Sequence, residues 1–244
     1  MSQKSIFLFY ILFSIDLAFS FLLKNNRNIK GKRMQSMRIN ELYNKLSIDI
    51  TPSNKLKIEI VSKDNPHRAE VETFIHQSFA THFNANLHGF FPLILTIRNI
   101  KNNELIAAVG IRCAKKERLF SECYLDEPIE QTIVKLESTL TSRGKIAELG
   151  NFVVRNRSDI KRVIPILGQF IKTLNADWVI YTLTRPIKIY FNKLGIKLNH
   201  ITDADIAKVN GAAKDWGRYY NFKPAVYYSN VKNNLNEETL SKCK

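Results

Sequence analysis

Residues 146–154, IAELGNFVV, are apolar apart from Glu148 and Asn151, and a short run of this kind predicts a strand buried within a sheet. Arg155 and Arg157 follow, and Ser158 stands where a helix N-cap would stand. From there Ile160, Val163, Ile164, Leu167, Phe170, Ile171 and Leu174 recur at helical spacing and make one face. The pattern is strand, basic turn, helix. A helix N-terminus offers free N–H groups and a positive dipole end, which suits an anion. Arg155, Arg157, Lys161 and Arg162 add charge there. Glu148 is either a site carboxylate beside a phosphate-ready turn or a structural acid paired with one of the many Lys and Arg.

The rest of the chain follows the same logic. Leu56–Val61 alternates and predicts a first strand. Pro66 is expected at the first position of a helix whose face is Ala69, Val71, Phe74, Ile75 and Phe79. Strands at 91–97 and 105–114, joined through Asn102-Asn103, predict an antiparallel hairpin. Pro128 is expected to open a helix with the face Ile129, Ile133, Val134, Leu136 and Leu140. A strand at 177–183, a helix at 186–194 closed by Gly195, and a strand at 197–201 come next. A helix or turn at 203–210 and a last strand at 224–230 complete the pattern. The fold class is therefore α/β: a mixed, mostly antiparallel central sheet of about seven strands with helices on both faces. Three divisions are expected: an extension over 1–37, one domain over 38–230 and a polar tail over 231–244.

Pro128 also argues that 119–125 is extended. That would put Glu122, Tyr124 and Asp126 on one strand face, with Cys123 and Leu125 on the other. Two acids on one face suit an amine, which must lose a proton before it attacks an acyl group. The plainer alternative is a solvated edge pairing Lys115, Lys116 or Arg118. Glu130, in a first helical turn, reads as a partner of the helix dipole. Trp216, Tyr219 and Tyr220 sit close together near Arg218; they either wall an acyl tunnel, lie on a membrane interface or fill the core.

Charge narrows the partners. Lys and Arg number 37 against 22 Asp and Glu, a net +15 over 244 residues. Such a balance favours polyanions: phosphorylated cofactors, an anionic membrane surface or nucleic acid. No recognisable nucleic-acid module accompanies it, so no nucleic-acid partner is expected. The three Cys and five His show no ligand spacing, and no metal is expected. Residues 6–23 are nearly all apolar, interrupted by Ser14, Asp16 and Ser20, and are followed by six cations through Arg38. Three readings stay open: an inner-membrane anchor that leaves the domain in the cytoplasm, a signal peptide ahead of secretion, or a start miscalled upstream of Met34 or Met37.

Three short stretches resemble the thermostable hemolysin family: FSECYLDEPIE at 120–130, AELGN at 147–151 and DWGRYY at 215–220. In order and suitably spaced, they extend the resemblance over about 56–230. That family resembles a branch of the acyl-CoA N-acyltransferase superfamily, near the acyl-homoserine-lactone synthases. The segment FNKLGI at 191–196 resembles a superfamily signature, with Phe191 where the usual tyrosine acid stands and Tyr190 one position earlier. The Gly-rich phosphate loop of that superfamily is absent, since 155–161 carries no Gly.

The resemblance implies an acyltransferase that moves an acyl group from a CoA or acyl-carrier-protein thioester to a small amine, with no permanently bound cofactor. Glu122, Asp126 and Glu148 are then the expected catalytic carboxylates. Asn151 and Val153, through backbone N–H groups, and Arg155, Arg157, Lys161 and Arg162, through charge, are expected to hold the donor. Tyr124, Trp216 and Tyr219 are expected to bind substrate. The family name suggests the alternative, a membrane-active haemolytic protein without catalysis.

Overall fold

The computed structural model describes residues 56–209 and 213–234. The expectations for 1–37, for most of the polar tail and for Asn210 lie outside them. Among the described residues no helix is long and apolar enough to cross a membrane.

Seven strands form one sheet: β1 (Leu56–Val61), β2 (Leu93–Asn99), β3 (Leu105–Cys113), β4 (Ile146–Val154), β5 (Trp178–Leu183), β6 (Asn199–Asp203) and β7 (Ala225–Asn230). Their order is β1-β2-β3-β4-β5-β7-β6, antiparallel everywhere except β4 and β5. The parallel pair is joined by a helix, as a crossover of that kind requires. The sheet is thus mixed and mostly antiparallel.

Four longer helices accompany it: α1 (Arg68–Phe83), α2 (Ile129–Glu137), α3 (Ile160–Thr173) and α4 (Arg185–Lys193). α1 lays Val71, Ile75 and Phe79 on Val61, Ile94, Ala108 and Val153. α2 lays Ile129 and Ile133 against Ile146, Trp178, Ile180 and Tyr228 on the same side of the sheet. α4 sits on the other side, where Phe191 meets Tyr181 edge-on.

Several local expectations are corrected. Pro66 does not open α1; 63–67 is a turn, Asn65 accepts from the His67 N–H, and the helix begins at Arg68. Ser158 does not cap α3: it lies inside a 3₁₀ turn, Arg157–Asp159, that leads into the helix. Helix α2 stops at Glu137 because Ser138 turns left-handed, φ 52°, so Leu140 lies beyond it and is 92% exposed. The segment before Pro128 is not extended: Ser121–Cys123 is a 3₁₀ turn, so Glu122, Tyr124 and Asp126 share no strand face.

Candidate functional site

β4 has a fault at its middle, and the site grows from it. Against β3, Ala108 pairs with Val153 and Gly110 with Gly150, so two residues of β4 oppose Val109 alone. Asn151 takes up the extra residue with a left-handed φ of 46°. This β-bulge changes which face the following side chains occupy. Phe152 goes to the α4 side, 6.2 Å from the Phe191 ring, and Val153 to the α1 side. On the other edge of β4, pairing with β5 ends at Leu149 and Tyr181, although β4 runs on to Val154 and β5 to Leu183. The two parallel strands part there.

Glu148 lies just before the parting, on the α1–α2 side. Its carboxylate is buried, and it accepts from two backbone N–H groups: Phe120 to Oε2 and Ser121 to Oε1, each at 2.7 Å. The Ser121–Cys123 turn is what aims both donors at it. Burial pushes the Glu148 carboxyl above its ordinary range, opposed by those donors and by the charge of Arg112. Arg112 is its register partner on β3. It caps the ring of Phe91 at 4.6 Å and gives a hydrogen bond to the Arg118 carbonyl. Arg112 was missed in the sequence, although a lone charge inside LIAAVGIRC is the kind of exception that marks such a position.

Phe91 itself seals the floor. Its ring lies over two glycines; a Cβ on Gly150 would meet its Cζ at 2.5 Å, and one on Gly110 its Cβ at 2.8 Å. The side chain of Asn151 accepts from the Phe91 N–H at 3.0 Å, so the bulge and the ring hold one another in place.

Above Glu148 stands an aromatic wall. Phe120 meets Tyr124 at 5.9 Å and Trp216 at 5.6 Å; Trp216 meets Tyr219 at 5.2 Å and Tyr220 at 5.8 Å. The hydroxyls of Tyr124 and Tyr220 are 2.6 Å apart, and burial lifts the Tyr220 phenol to about 12. The wall is tied to α1: Arg218 N–H donates to the Phe83 carbonyl and Asn86 N–H to that of Asp215, each at 2.7 Å. Gly217, at φ 50°, permits the contact, since a Cβ would fall 2.2 Å from the Asn84 carbonyl oxygen.

The expected residues divide. Glu148, Tyr124, Trp216 and Tyr219 come together, with the Asn151–Val153 bulge at the parted strands. Glu122 stands elsewhere in role: it accepts from the Leu119 and Ile129 N–H groups and from both terminal nitrogens of Arg143. Asp126 is 97% exposed, with Lys208 at 3.1 Å. Arg155 is engaged by the Leu105 carbonyl and Glu104, and Arg162 by Asp159. Arg157 and Lys161 stay exposed, and among the described residues they make no ion pair. Of the expected phosphate turn, two cations are thus occupied and two remain.

Comparisons with known structures agree with this topology. The chain is similar to TofI, solved with an inhibitor and MTA, at TM-score 0.52 and 11% identity, covering 78% of this chain and 96% of that one. It is similar to the AHL synthase LasI at TM-score 0.50 and 10% identity, covering 77% and 94%. FeeM, an N-acyl amino acid synthase from uncultured soil microbes, gives TM-score 0.50 and 9% identity, covering 72% and 91%. At such identities the likeness is one of fold. A comparison with curated protein sequences finds no match. The thermostable hemolysin pattern matches residues 61–235, most of the chain, and the protein belongs to the thermostable hemolysin family.

Proposed function

We propose that the protein transfers an acyl group from a thioester to an amine, with Glu148 as the group that takes the amine's proton. The observation that carries this is the buried Glu148 carboxylate placed immediately before the point where β4 and β5 part. Each of its oxygens accepts one backbone N–H and keeps a second lone pair for an ammonium. Burial raises its proton affinity, which makes it a stronger base than an exposed carboxylate. The acceptor binds as an ammonium and gives Glu148 one proton; the neutral amine attacks the thioester carbonyl, and as the tetrahedral intermediate collapses the C–S bond breaks and the second proton on nitrogen passes to the departing sulfur, leaving amide and thiol. Backbone N–H groups of Asn151–Val153, on the stretch of β4 that β5 leaves unpaired, are our candidates for the developing oxyanion. Tyr124, Trp216 and Tyr219 supply the wall along which the acyl chain lies.

In this arrangement Glu122 and Asp126 take no part in proton transfer. Glu122 is committed to Arg143 and α2, and Asp126 faces solvent.

The fold likeness to the AHL synthase LasI and to FeeM, an N-acyl amino acid synthase, supports the reaction class. The test is product analysis by mass spectrometry on the full chain with acyl-CoAs or acyl carrier proteins and a panel of amines and amino acids. Glu148→Gln should lower the rate by roughly 10²–10⁴, the usual range for a positioned acid or base. Unchanged product formation would remove Glu148 from the mechanism. Leakage of dye from anionic liposomes without any thioester would instead support the activity that the family name suggests.

A further inference from the structure

The expected phosphate turn is half occupied, yet a second basic site lies at the same end of the parted strands. A cleft of about 490 Å³ opens between α4 and the turn Tyr219–Phe222. Arg185, Ile189 and Lys193 line one wall at intervals of four, one face of α4. Lys223 faces them from the turn, and Pro186 and Phe222 add apolar surface. Among the described residues none of the three cations has a carboxylate partner, so three like charges share one concavity. That arrangement favours a multiply charged anion. Tyr190 lines the cleft as well, so the tyrosine next to Phe191 faces this cleft.

Position supports the same conclusion. Arg185 opens α4 two residues after β5 ends; in that first turn Pro186 has no N–H and Lys188 donates to the Thr184 carbonyl, which leaves the N–H groups of Arg185 and Ile187 to meet an anion. Ligands of open α/β sheets sit outside the carboxyl ends of their parallel strands, and β4 and β5 are the parallel pair here. Volume and lining match a small organic ligand, since such pockets run to ~300–1,000 Å³ with apolar walls and a few charged groups. A carrier protein would need a broad surface.

We infer that this cleft holds the phosphate-bearing adenine nucleotide of a CoA thioester, its base against Pro186, Tyr190 and Phe222 and its phosphates on Arg185, Lys193 and Lys223. This rests on the acyl-transfer reading and deepens it: the donor is a CoA thioester, and its phosphates sit on the α4 side of the strand opening.

An organic phosphate on an apolar body is also the chemistry of an anionic lipid, so the test separates the two. Calorimetry on the full chain would compare CoA, adenosine 3′,5′-bisphosphate, phosphopantetheine and phosphatidylglycerol vesicles. CoA and the bisphosphate should bind, and phosphopantetheine should bind far more weakly. Arg185→Ala with Lys193→Ala, and separately Lys223→Ala, should weaken the bisphosphate roughly tenfold or more, the effect of losing a charge-assisted contact. Lys172→Ala, the same single charge loss as Lys223→Ala but at the far end of α3, should not. Equal affinity in the cleft variants, binding of vesicles but not of CoA, or loss confined to Arg157→Ala with Lys161→Ala would each overturn the assignment. Melting temperatures of the variants show that they are folded. Nucleotide binding in the cleft without acyl transfer would keep the cleft and remove the acyltransferase reading. Acyl transfer from a carrier protein without nucleotide binding would do the reverse.

Discussion

Arg143 grips Glu122 with both terminal nitrogens, Nη1 at 2.7 Å from Oε1 and Nη2 at 3.1 Å from Oε2. Nη1 also reaches Glu130 at 2.7 Å, and the guanidinium donates to the carbonyls of Ala114 and Glu117. One arginine therefore ties the end of β3, the turn after it and the start of α2. Glu122 is 4% exposed, and removing one member of a buried pair strands the other. Arg143→Ala should destabilise the fold by about 3 kcal/mol, toward the low end for such pairs because the arginine is partly exposed. Urea denaturation measures it, and a change below about 0.5 kcal/mol would show that the pair is dispensable.

The same carboxylate shapes the response to acid. Burial opposes ionisation of Glu122, yet Arg143 and the Ile129 and Leu119 N–H groups together hold it below the ordinary value of 4.5. Glu70 is also held low, chiefly by its hydrogen bonds from Arg98. A depressed carboxyl adds stability above its unfolded pKa and loses it as pH falls through the folded one. Stability should thus fall as pH drops below about 4.5, and the fall should be shallower in Glu122→Gln. Glu148 has the opposite sign. Its raised carboxyl stabilises most at low pH and loses that contribution as pH rises through the folded value. The stability gap between wild type and Glu148→Gln should therefore narrow as pH increases. Denaturant midpoints from pH 3 to 8 would show both trends.

Gly150 admits the Phe91 ring where no side chain fits, the clash distance being 2.5 Å. Gly150→Ala should cost about 1–3 kcal/mol, the range for overpacking a tight core. The double variant with Phe91→Leu should recover part of that loss. Equal stability of Gly150→Ala and wild type would mean that the ring moves freely, and the floor of the site would not be rigid.

Tyr124 is 1% exposed and its hydroxyl lies 2.6 Å from that of Tyr220. Tyr124→Phe leaves the Tyr220 hydroxyl half-buried without that partner, a loss of about 1 kcal/mol. If the aromatic wall carries the acyl chain, the variant should keep its preference for chain length, because the ring that packs on Phe120 is retained. Trp216→Ala, which opens the wall, should shift that preference. Turnover with donors of graded length would check both.

The seven strands and α3 were legible in the chain because each announces itself locally. A run such as IAELGNFVV has no better place than a sheet interior, and Ile160 to Ile171 cannot face water on every side. Glu148 was legible for the same reason: an acid in an apolar strand must be provided for. What provides for it was not. Two backbone N–H groups from Phe120 and Ser121, 28 and 27 residues away, carry no signal in residue type. Local reading took 119–125 as extended because Pro128 lies ahead, whereas contacts with Arg143 and Glu148 fold it into a 3₁₀ turn and give Glu122 a structural place. The bulge at Asn151 was likewise hidden, since a left-handed residue within a strand depends on the neighbour across the sheet. The basic cleft joins Arg185 and Lys193 to Lys223, 30 residues beyond the nearer of them, and only the pairing of β5 with β7 brings α4 near that turn. Burial preference is a property of each residue and its near neighbours, so sequence determined the strands and the exceptional acid. Hydrogen-bond partners and charge clusters are properties of the assembled sheet and its helices, so only the tertiary structure decided them.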